Sequence, residues 1–221
     1  MSNISKLQAR EPIKKQEGQL GHMARYYDLI VTLMTFGREK TLRNMTIELA
    51  QLMPGDKVLE VGCGTGTLTL AAKAQVGSSG EVVGIDIAPE MVAVASNKAT
   101  RKSIDVSFQV GSIENIPFPD NSFNVVMCSF MIFHMPEDVR RKGFIEIYRV
   151  LKSDGHLFIL DFALPDKPWK RRFVQMHFGH MMQHDVRELA PVLKEDSFSE
   201  IEMGKTKFMG SWFLRGKAGK A

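Results

Sequence analysis

Three glycines at alternate positions follow a short apolar stretch that carries one acid. Residues 58–68 read VLEVGCGTGTL, with Glu60 ahead of Gly62, Gly64 and Gly66. Glycine accepts positive φ values and lets a ligand approach main-chain N–H groups that a Cβ atom would shield. The pattern therefore predicts a cofactor-binding loop at the end of a strand.

The residues that follow the glycines separate the cofactor classes. A P-loop requires a lysine followed by Ser or Thr, and here Thr67 and Leu68 follow, which excludes a nucleoside triphosphate loop of that kind. A dinucleotide loop has its third glycine where this chain has Thr67, so NAD stays open but is less favoured. Asp86 ends the next strand-like stretch, where an acid can accept hydrogen bonds from both hydroxyls of a ribose.

These features resemble the class I S-adenosylmethionine-dependent methyltransferases, whose first motif is E/D-x-G-x-G-x-G. Three later stretches are similar to the same family in order and spacing: DIAPEMVAVA, VGSIENIPFPDNSFNVV and RVLKSDGHLFILDF. Within the class, the chain is most similar to the ubiquinone/menaquinone C-methyltransferase group and related phospholipid N-methyltransferases. The resemblance implies an enzyme that uses S-adenosyl-L-methionine and releases S-adenosyl-L-homocysteine.

The resemblance also implies roles for the motif positions. Glu60 and the glycine loop would hold the methionine half of the cofactor, Asp86 the ribose, and Ser112 the adenine. Ser112 and Asn124 replace aspartates that are usual in the family, which predicts weaker cofactor affinity or adenine selectivity. The expected cofactor-binding residues are Glu60, Gly62, Cys63, Gly64, Gly66, Asp86, Ile87, Met91, Ser112, Ile113 and Ser129.

Methyl transfer needs a nucleophile held in line with the methyl group and protected from water, and a base only where a proton must leave. In similar proteins the stretch SFMIFHMPED lines the acceptor site, which makes His134 the first candidate base. Capping of the following helix is the alternative role of His134. Tyr27, in a Tyr-Asp pair typical of the family's N-terminal helix, is the second catalytic candidate.

Three further histidines lie in the C-terminal part of the sequence. His177, His180 and His184 fall on one helical face with several methionines nearby. Because no carboxylate is firmly linked to them, we expect no metal site. We expect the methionines and aromatic residues here to form a flexible apolar wall around a hydrophobic acceptor. Ordinary core packing is the alternative role.

The elements that must position these residues alternate between strand and helix. Short apolar strands are predicted at 57–62, 81–86, 106–110, 123–129 and 156–162, and helices lie between most of them. FSEIEMG and TKFMGSWFLRG then predict two antiparallel strands joined by a turn around Gly204 and Lys205. The expected fold is α/β: a Rossmann-like, seven-stranded, mostly parallel sheet with one antiparallel edge strand and helices on both faces.

The domain organisation follows from length and periodicity. With 221 residues, the chain is long enough for one full-sized domain. We expect residues 1–21 to form a flexible arm and residues 22–221 to form a single domain. Residues 22–53 should fold as two helices, with a break at Gly37, that act as a lid.

The composition and charge distribution indicate where the protein acts and what it binds. The N-terminal stretch lacks the apolar core of a secretory signal, so we expect a cytoplasmic protein, possible membrane association being a separate hypothesis. The net charge of +4 is mild, but basic and aromatic residues cluster in Lys167–Phe173, where contact with an anionic membrane is predicted. The expected substrate is a hydrophobic small molecule or lipid, such as a quinol or a phospholipid amine.

Other activities stay open beside this one. No nucleic-acid partner is expected, because the chain lacks the Asn/Asp-Pro-Pro-aromatic and Pro-Cys motifs of base methyltransferases. An RNA methyltransferase and a non-catalytic S-adenosylmethionine-binding protein are the alternative functions.

Overall fold

The computed structural model describes residues 28, 31–33, 35–178, 184–208 and 210–220. Several predictions fall outside these ranges: the arm at 1–21, the first part of the lid, Tyr27 and His180. Within the described ranges, no helix is long and apolar enough to cross a membrane.

Seven strands and six α-helices alternate along the described part of the chain. The strands are β1 Lys57–Val61, β2 Glu81–Asp86, β3 Ser107–Val110, β4 Phe123–Ser129, β5 Leu151–Phe162, β6 Phe198–Lys205 and β7 Ser211–Ala218. The helices are α1 Glu39–Ala50, α2 Thr67–Val76, α3 Pro89–Lys102, α4 Glu137–Val150, α5 Pro168–Phe178 and α6 Leu189–Glu195. Two 3-10 turns occupy Ile132–His134 and Val186–Glu188.

The strands form one sheet in the order β3-β2-β1-β4-β5-β7-β6. Neighbours among the first five pair in parallel, whereas β7 is antiparallel to both β5 and β6. The predicted seven-stranded, mostly parallel architecture is confirmed. The single antiparallel strand lies one position inside the edge, which β6 forms.

Burial explains why these strands are short apolar runs. The sheet is covered on both faces, so β1 and β4 are buried along nearly their whole lengths. One core layer joins the sheet to α4 and α6, and a second joins it to α1 and α2. The carboxyl ends of the parallel strands are therefore the part of the sheet that remains open to a ligand.

The connection between β6 and β7 differs from the prediction. Gly204 and Lys205 lie inside β6 rather than in the turn, which begins at Thr206. Thr206 donates its N–H to the carbonyl of Ser211 at 2.9 Å, and Gly210 supplies a positive φ of 73°. The turn therefore uses the later of the two glycines, because the left-handed conformation is needed immediately before β7.

Candidate functional site

Strand order reverses between β1 and β4, and a cavity of about 340 Å³ opens at their carboxyl ends. In an open α/β sheet, such a reversal leaves a crevice between neighbouring connections. The walls come from the glycine loop after β1, the ends of β4 and β5, the start of α1 and the residues that precede it. The sequence-predicted residues that line this cavity are Glu60, Gly62, Cys63, Gly64 and Ser129.

The three glycines of the loop share a left-handed conformation but meet different surroundings. Gly62, Gly64 and Gly66 have φ values of 71°, 52° and 73°. A Cβ atom on Gly66 would lie 2.5 Å from the ring of Phe108, whereas a Cβ atom on Gly64 would meet no atom within 4 Å. Gly66 is therefore required for packing inside the protein, and Gly64 leaves open space beside the cavity.

The N–H groups of this loop are already engaged within the protein. Gly62 and Cys63 both donate to the carbonyl of Ile85, at 2.8 and 2.9 Å, and Gly64 donates to Asp86 Oδ2 at 2.8 Å. A loop that binds a pyrophosphate directs such groups at the ligand instead. The geometry thus favours a ligand that needs no anion cradle here, which argues against a dinucleotide.

Glu60 lies at the buried end of the cavity, with 3% of its surface exposed. Its Oε2 atom accepts a hydrogen bond of 2.5 Å from the hydroxyl of Thr69, in the first turn of α2. Burial raises the pKa of Glu60 to about 8; the Thr69 hydrogen bond opposes this rise, and the Asp86 carboxylate adds to it. A buried acid in this position is suited to a cationic ligand group, which would compensate its negative charge.

Asp86 ends β2 beside the loop, outside the cavity lining. Its Oδ2 atom holds the N–H of Gly64, and its Oδ1 atom accepts a 2.9 Å hydrogen bond from the N–H of Ala88. Burial raises the pKa of Asp86, and these backbone donors oppose the rise. The carboxylate is thus held in one orientation, and its remaining lone pairs could accept ribose hydroxyls.

The other predicted cofactor residues lie farther along the same edge of the sheet. Ile87 is partly exposed after β2, and Met91 is buried on α3. Ser112 Oγ accepts a hydrogen bond from the N–H of Glu114, and Ile113 is buried. None of these side chains lines the cavity, so their contacts with adenosine stay predictions.

Cys63 does line the cavity, and burial raises the pKa of its thiol, which makes it a poor nucleophile.

Asp28 ties the segment before α1 to the glycine loop. Its Oδ1 atom accepts a hydrogen bond of 2.6 Å from the hydroxyl of Thr65, and its Oδ2 atom lies 2.7 Å from Lys98 Nζ on α3. Burial alone would raise the pKa of Asp28, but the hydrogen bonds from Lys98 and Thr65 hold it below the usual value. Asp28 therefore fixes this part of the predicted lid at the cavity.

Aromatic rings form the wall of the cavity opposite the glycine loop. The Phe162 ring lies 4.8 Å from that of Phe130 and 5.4 Å from that of Phe133, measured between centroids. All three line the cavity together with Phe208. Phe130 has a φ of 52°, an uncommon conformation for a bulky residue that marks a strained turn after β4.

Asp161 stabilises the turn that follows β4. Its Oδ2 atom accepts hydrogen bonds from the N–H groups of Ile132, at 2.9 Å, and Phe133, at 3.0 Å. Burial raises the pKa of Asp161 to about 7, although the backbone donors oppose the rise. No local sequence signal indicates this role, because the donors lie nearly thirty positions earlier in the chain.

His134 lies in the 3-10 turn but is not among the cavity-lining residues. It is exposed at the surface, and its ring packs against Phe133 with 5.0 Å between centroids. Desolvation by its neighbours lowers the pKa of the imidazole. A role for His134 as a base stays a prediction, as does that of Tyr27, which lies outside the described residues.

The roof of the cavity contains an ion pair that sequence reasoning missed. Glu39 and Arg43 both line the cavity, with 2.9 Å between Glu39 Oε2 and Arg43 Nη1. In the sequence this is an i,i+4 acid-base pair on a helix, a pattern most often found on solvated surfaces. Only the packing of α1 over the cavity distinguishes it from a surface pair.

The chain is similar to methyltransferases of known name. A family model described as a methyltransferase domain matches residues 58–155. The ubiquinone/menaquinone biosynthesis C-methyltransferase UbiE of Hydrogenovibrio crunogenus is 35% identical over 167 residues, which are 75% of this chain and 65% of that protein. The demethylmenaquinone methyltransferase of Lactiplantibacillus plantarum is 29% identical over 208 residues, covering 89% of this chain and 86% of that protein. The chain thus spans slightly less than two thirds of the first relative's length.

Solved structures share the fold at lower identity. A SAM-dependent methyltransferase from Aquifex aeolicus is 24% identical, with a TM-score of 0.66, 90% of this chain covered and 98% of that chain. Geranyl diphosphate C-methyltransferase from Streptomyces coelicolor, in a complex that includes S-adenosyl-L-homocysteine, has a TM-score of 0.67 at 14% identity. That comparison covers 81% of this chain and 76% of the Streptomyces chain. At these identities the likeness concerns the fold.

Proposed function

The chain belongs to the ubiquinone/menaquinone C-methyltransferase family of S-adenosylmethionine-dependent methyltransferases, and on this premise we propose that it methylates a ring carbon of a hydrophobic, quinol-type acceptor. The observation that carries the proposal is a single cavity in which a buried acid, Glu60, and an aromatic wall face a shared space. The acid suits the charged end of the cofactor, and the rings suit a flat apolar acceptor.

The residues present fit the cofactor. Glu60 would pair with the α-ammonium group, Gly64 leaves the space that the methionine half requires, and Asp86 would accept the ribose hydroxyls. Ile87, Met91, Ser112 and Ile113 would contact the adenosine half. Gly62, Cys63, Gly66 and Ser129 would shape the methionine end. When bound, the cofactor would supply an electrophilic methyl group on a sulfonium centre.

The protein's part in the reaction is orientation and exclusion of water. Phe130, Phe133 and Phe162 would pack on the faces and edges of the acceptor ring and hold it against the loop. Asp161 keeps the turn that carries Phe133 in one conformation. The segment anchored by Asp28 would cover the cofactor and keep bulk water from the methyl group.

The relatives' names support a quinone-type acceptor over the other candidates. Both curated relatives are named for methylation in quinone biosynthesis. A flat ring also uses an aromatic wall more fully than the amine of a phospholipid head group does.

Peripheral contact with an anionic membrane through Lys167–Phe173 forms part of the proposal. On α5, Trp169, Phe173 and Met176 recur at helical spacing and are 67%, 52% and 71% exposed. Basic side chains such as Lys170 adjoin this apolar face, a combination suited to the interface of an anionic bilayer. The double variant W169S/F173S should lose most co-sedimentation with phosphatidylglycerol vesicles at low salt. Equal sedimentation of both proteins, or none by the wild type, would contradict the contact.

A direct assay tests the proposed reaction. The protein is incubated anaerobically with methyl-labelled cofactor and a reduced, short-chain quinone that lacks one ring methyl group, and the product is identified by mass spectrometry. Parallel reactions contain phosphatidylethanolamine or mixed tRNA. We expect label on the ring carbon of the quinol alone. Label on either other acceptor, or cofactor binding without product from any of them, would refute the proposed function.

A further inference from the structure

We propose that Glu39 and Arg43 form the subsite for a hydroxyl group of the acceptor, where Glu39 takes the hydroxyl proton and Arg43 pairs with the resulting oxyanion. The inference rests on the proposed function, because it concerns the acceptor half of the same cavity. It names an acidic hydroxyl, phenolic or enolic, as the chemical feature that an acceptor must carry.

The pair of Glu39 and Arg43 lies inside the cavity. The two side chains lie 2.9 Å apart in the first turns of α1 and are only partly exposed, Glu39 19% and Arg43 27%. They share the cavity with Leu42 and the aromatic wall. Ionised groups beside apolar walls lose hydration, so such a pair is costly to keep unless it meets a polar ligand group.

The other carboxylates of the cavity, Asp28 and Glu60, lie on its glycine-loop side. Asp28 is bound by Lys98 and by the hydroxyl of Thr65. Glu60 lies on the glycine-loop side, where it would meet the cofactor's ammonium. Among the cavity-lining residues that the structure describes, Glu39 is thus the carboxylate left to face the acceptor.

The alternatives on the acceptor side are less well placed. His134 and Asp161 lie beside the cavity rather than in its lining, and Asp161 is occupied by backbone N–H groups. Glu39 holds Arg43 through one oxygen and the hydroxyl of Thr32 through the other. Both oxygens keep a lone pair, so each could still accept a proton.

Glu39 and Arg43 would take up the proton and the charge that ionisation of the acceptor hydroxyl produces. The O–H bond of the acceptor breaks, its proton moves to a Glu39 carboxylate oxygen, and the electron pair stays on the acceptor oxygen. That negative charge raises the electron density at the adjacent ring carbon, which makes it a better nucleophile. Neutralising Glu39 weakens its hold on Arg43, so the guanidinium becomes available to the oxyanion. Glu39 then returns the proton to water through its exposed side.

A phenol whose ionised form absorbs at longer wavelength tests the subsite without turnover. The probe is 1-naphthol, titrated with pH in the presence of protein saturated with S-adenosyl-L-homocysteine. We expect the wild type to lower the midpoint of naphthol ionisation by about one pH unit, consistent with an adjacent cation. Arg43→Met should abolish the downward shift, whereas Glu39→Gln, which removes the opposing negative charge, should keep or enlarge it.

Turnover supplies the second readout. Glu39→Gln should lower kcat for the quinol about 100-fold, within the usual range for loss of a general base, with the cofactor dissociation constant unchanged. Glu39→Asp should restore part of the rate and the pH profile. Glu48→Gln, on an exposed position of the same helix, is the matched control and should behave as wild type. Thermal unfolding of every variant shows whether the fold is retained.

The outcomes separate the two proposals. If Glu39→Gln methylates the quinol as fast as wild type, or if wild type does not shift naphthol ionisation, the subsite is wrong whatever the acceptor. If wild type shifts naphthol ionisation through Arg43 but methylates no quinol, the oxyanion subsite stands and the proposed function fails.

Discussion

Cofactor affinity should depend on pH because the buried carboxyl group of Glu60 must ionise to pair with the cofactor's ammonium. Burial raises its pKa to about 8, so only about 1% of the groups are ionised at pH 6.0 and about 24% at pH 7.5. If only the ionised form pairs with the ammonium, the dissociation constant falls about 20-fold over this interval. About one proton is then released for each cofactor bound at pH 6.0.

Calorimetry measures both quantities. Titrations at pH 6.0 and 7.5, each in two buffers of different ionisation enthalpy, give the dissociation constant and the number of protons released. Glu60→Gln should bind weakly with no pH dependence, whereas Glu48→Gln should keep the full slope. Equal wild-type dissociation constants at the two pH values, or an unchanged slope in Glu60→Gln, would refute the assignment of Glu60 to the ammonium.

The same pKa shift predicts the sign of a stability effect in the protein without cofactor. The folded state holds the Glu60 proton up to a pKa of about 8, whereas the unfolded chain releases it near 4.5. Stability is therefore lost as pH rises from 4.5 to 8, by on the order of 4 kcal/mol in total. Urea unfolding should show that Glu60→Gln gains stability over wild type between pH 5 and pH 8. A stability difference that does not change with pH would contradict the raised pKa.

Four further substitutions have separable expected outcomes, measured by thermal unfolding, calorimetry and steady-state kinetics. Gly64→Ala should cost about 1 kcal/mol through its positive φ and weaken cofactor binding at least tenfold. Gly66→Ala should lower the free energy of unfolding by about 2–4 kcal/mol, because overpacking adds to the same backbone strain. The reverse ranking would contradict the roles given to the two glycines. Asp161→Asn, which places an amide N–H among backbone donors, should lower kcat/KM for the acceptor about tenfold and leave cofactor affinity intact. A parallel loss of cofactor affinity would place Asp161 elsewhere in the mechanism. Lys98→Met should raise the cofactor dissociation constant up to about fivefold, the range expected for a partly exposed ion pair, and no change would show that the Asp28 contact does not cover the cofactor.

Local signals in the sequence were enough to predict most of the fold. Alternating apolar strands and helices predicted a mostly parallel sheet, and the glycines after β1 predicted where its crevice lies. Asp86 could be assigned to the end of β2 because a turn signal follows the strand directly. These inferences depend on residues close together in the chain, where spacing alone carries the information.

Contacts between distant segments could not be predicted in the same way. Thr65 and Asp28 are thirty-seven positions apart and meet only when the segment before α1 lies over the glycine loop. The Glu39 and Arg43 pair has the spacing of an ordinary surface pair, and its place in the cavity depends on how α1 packs. The turn between β6 and β7 was misplaced because Gly204 and Gly210 are equivalent as local signals.

The cofactor carries two positive charges, the α-ammonium and the sulfonium, and Glu60 could compensate either one. Methyl transfer removes the charge on sulfur, but the α-ammonium remains in the product. If Glu60 pairs with the ammonium, S-adenosyl-L-methionine and S-adenosyl-L-homocysteine must show the same change in dissociation constant between pH 6.0 and 7.5. If Glu60 instead compensates the sulfonium, the product loses that slope. Parallel calorimetric titrations of the two ligands therefore decide which charge the buried carboxylate serves, and a flat profile for the product alone would move Glu60 from the ammonium to the reacting centre.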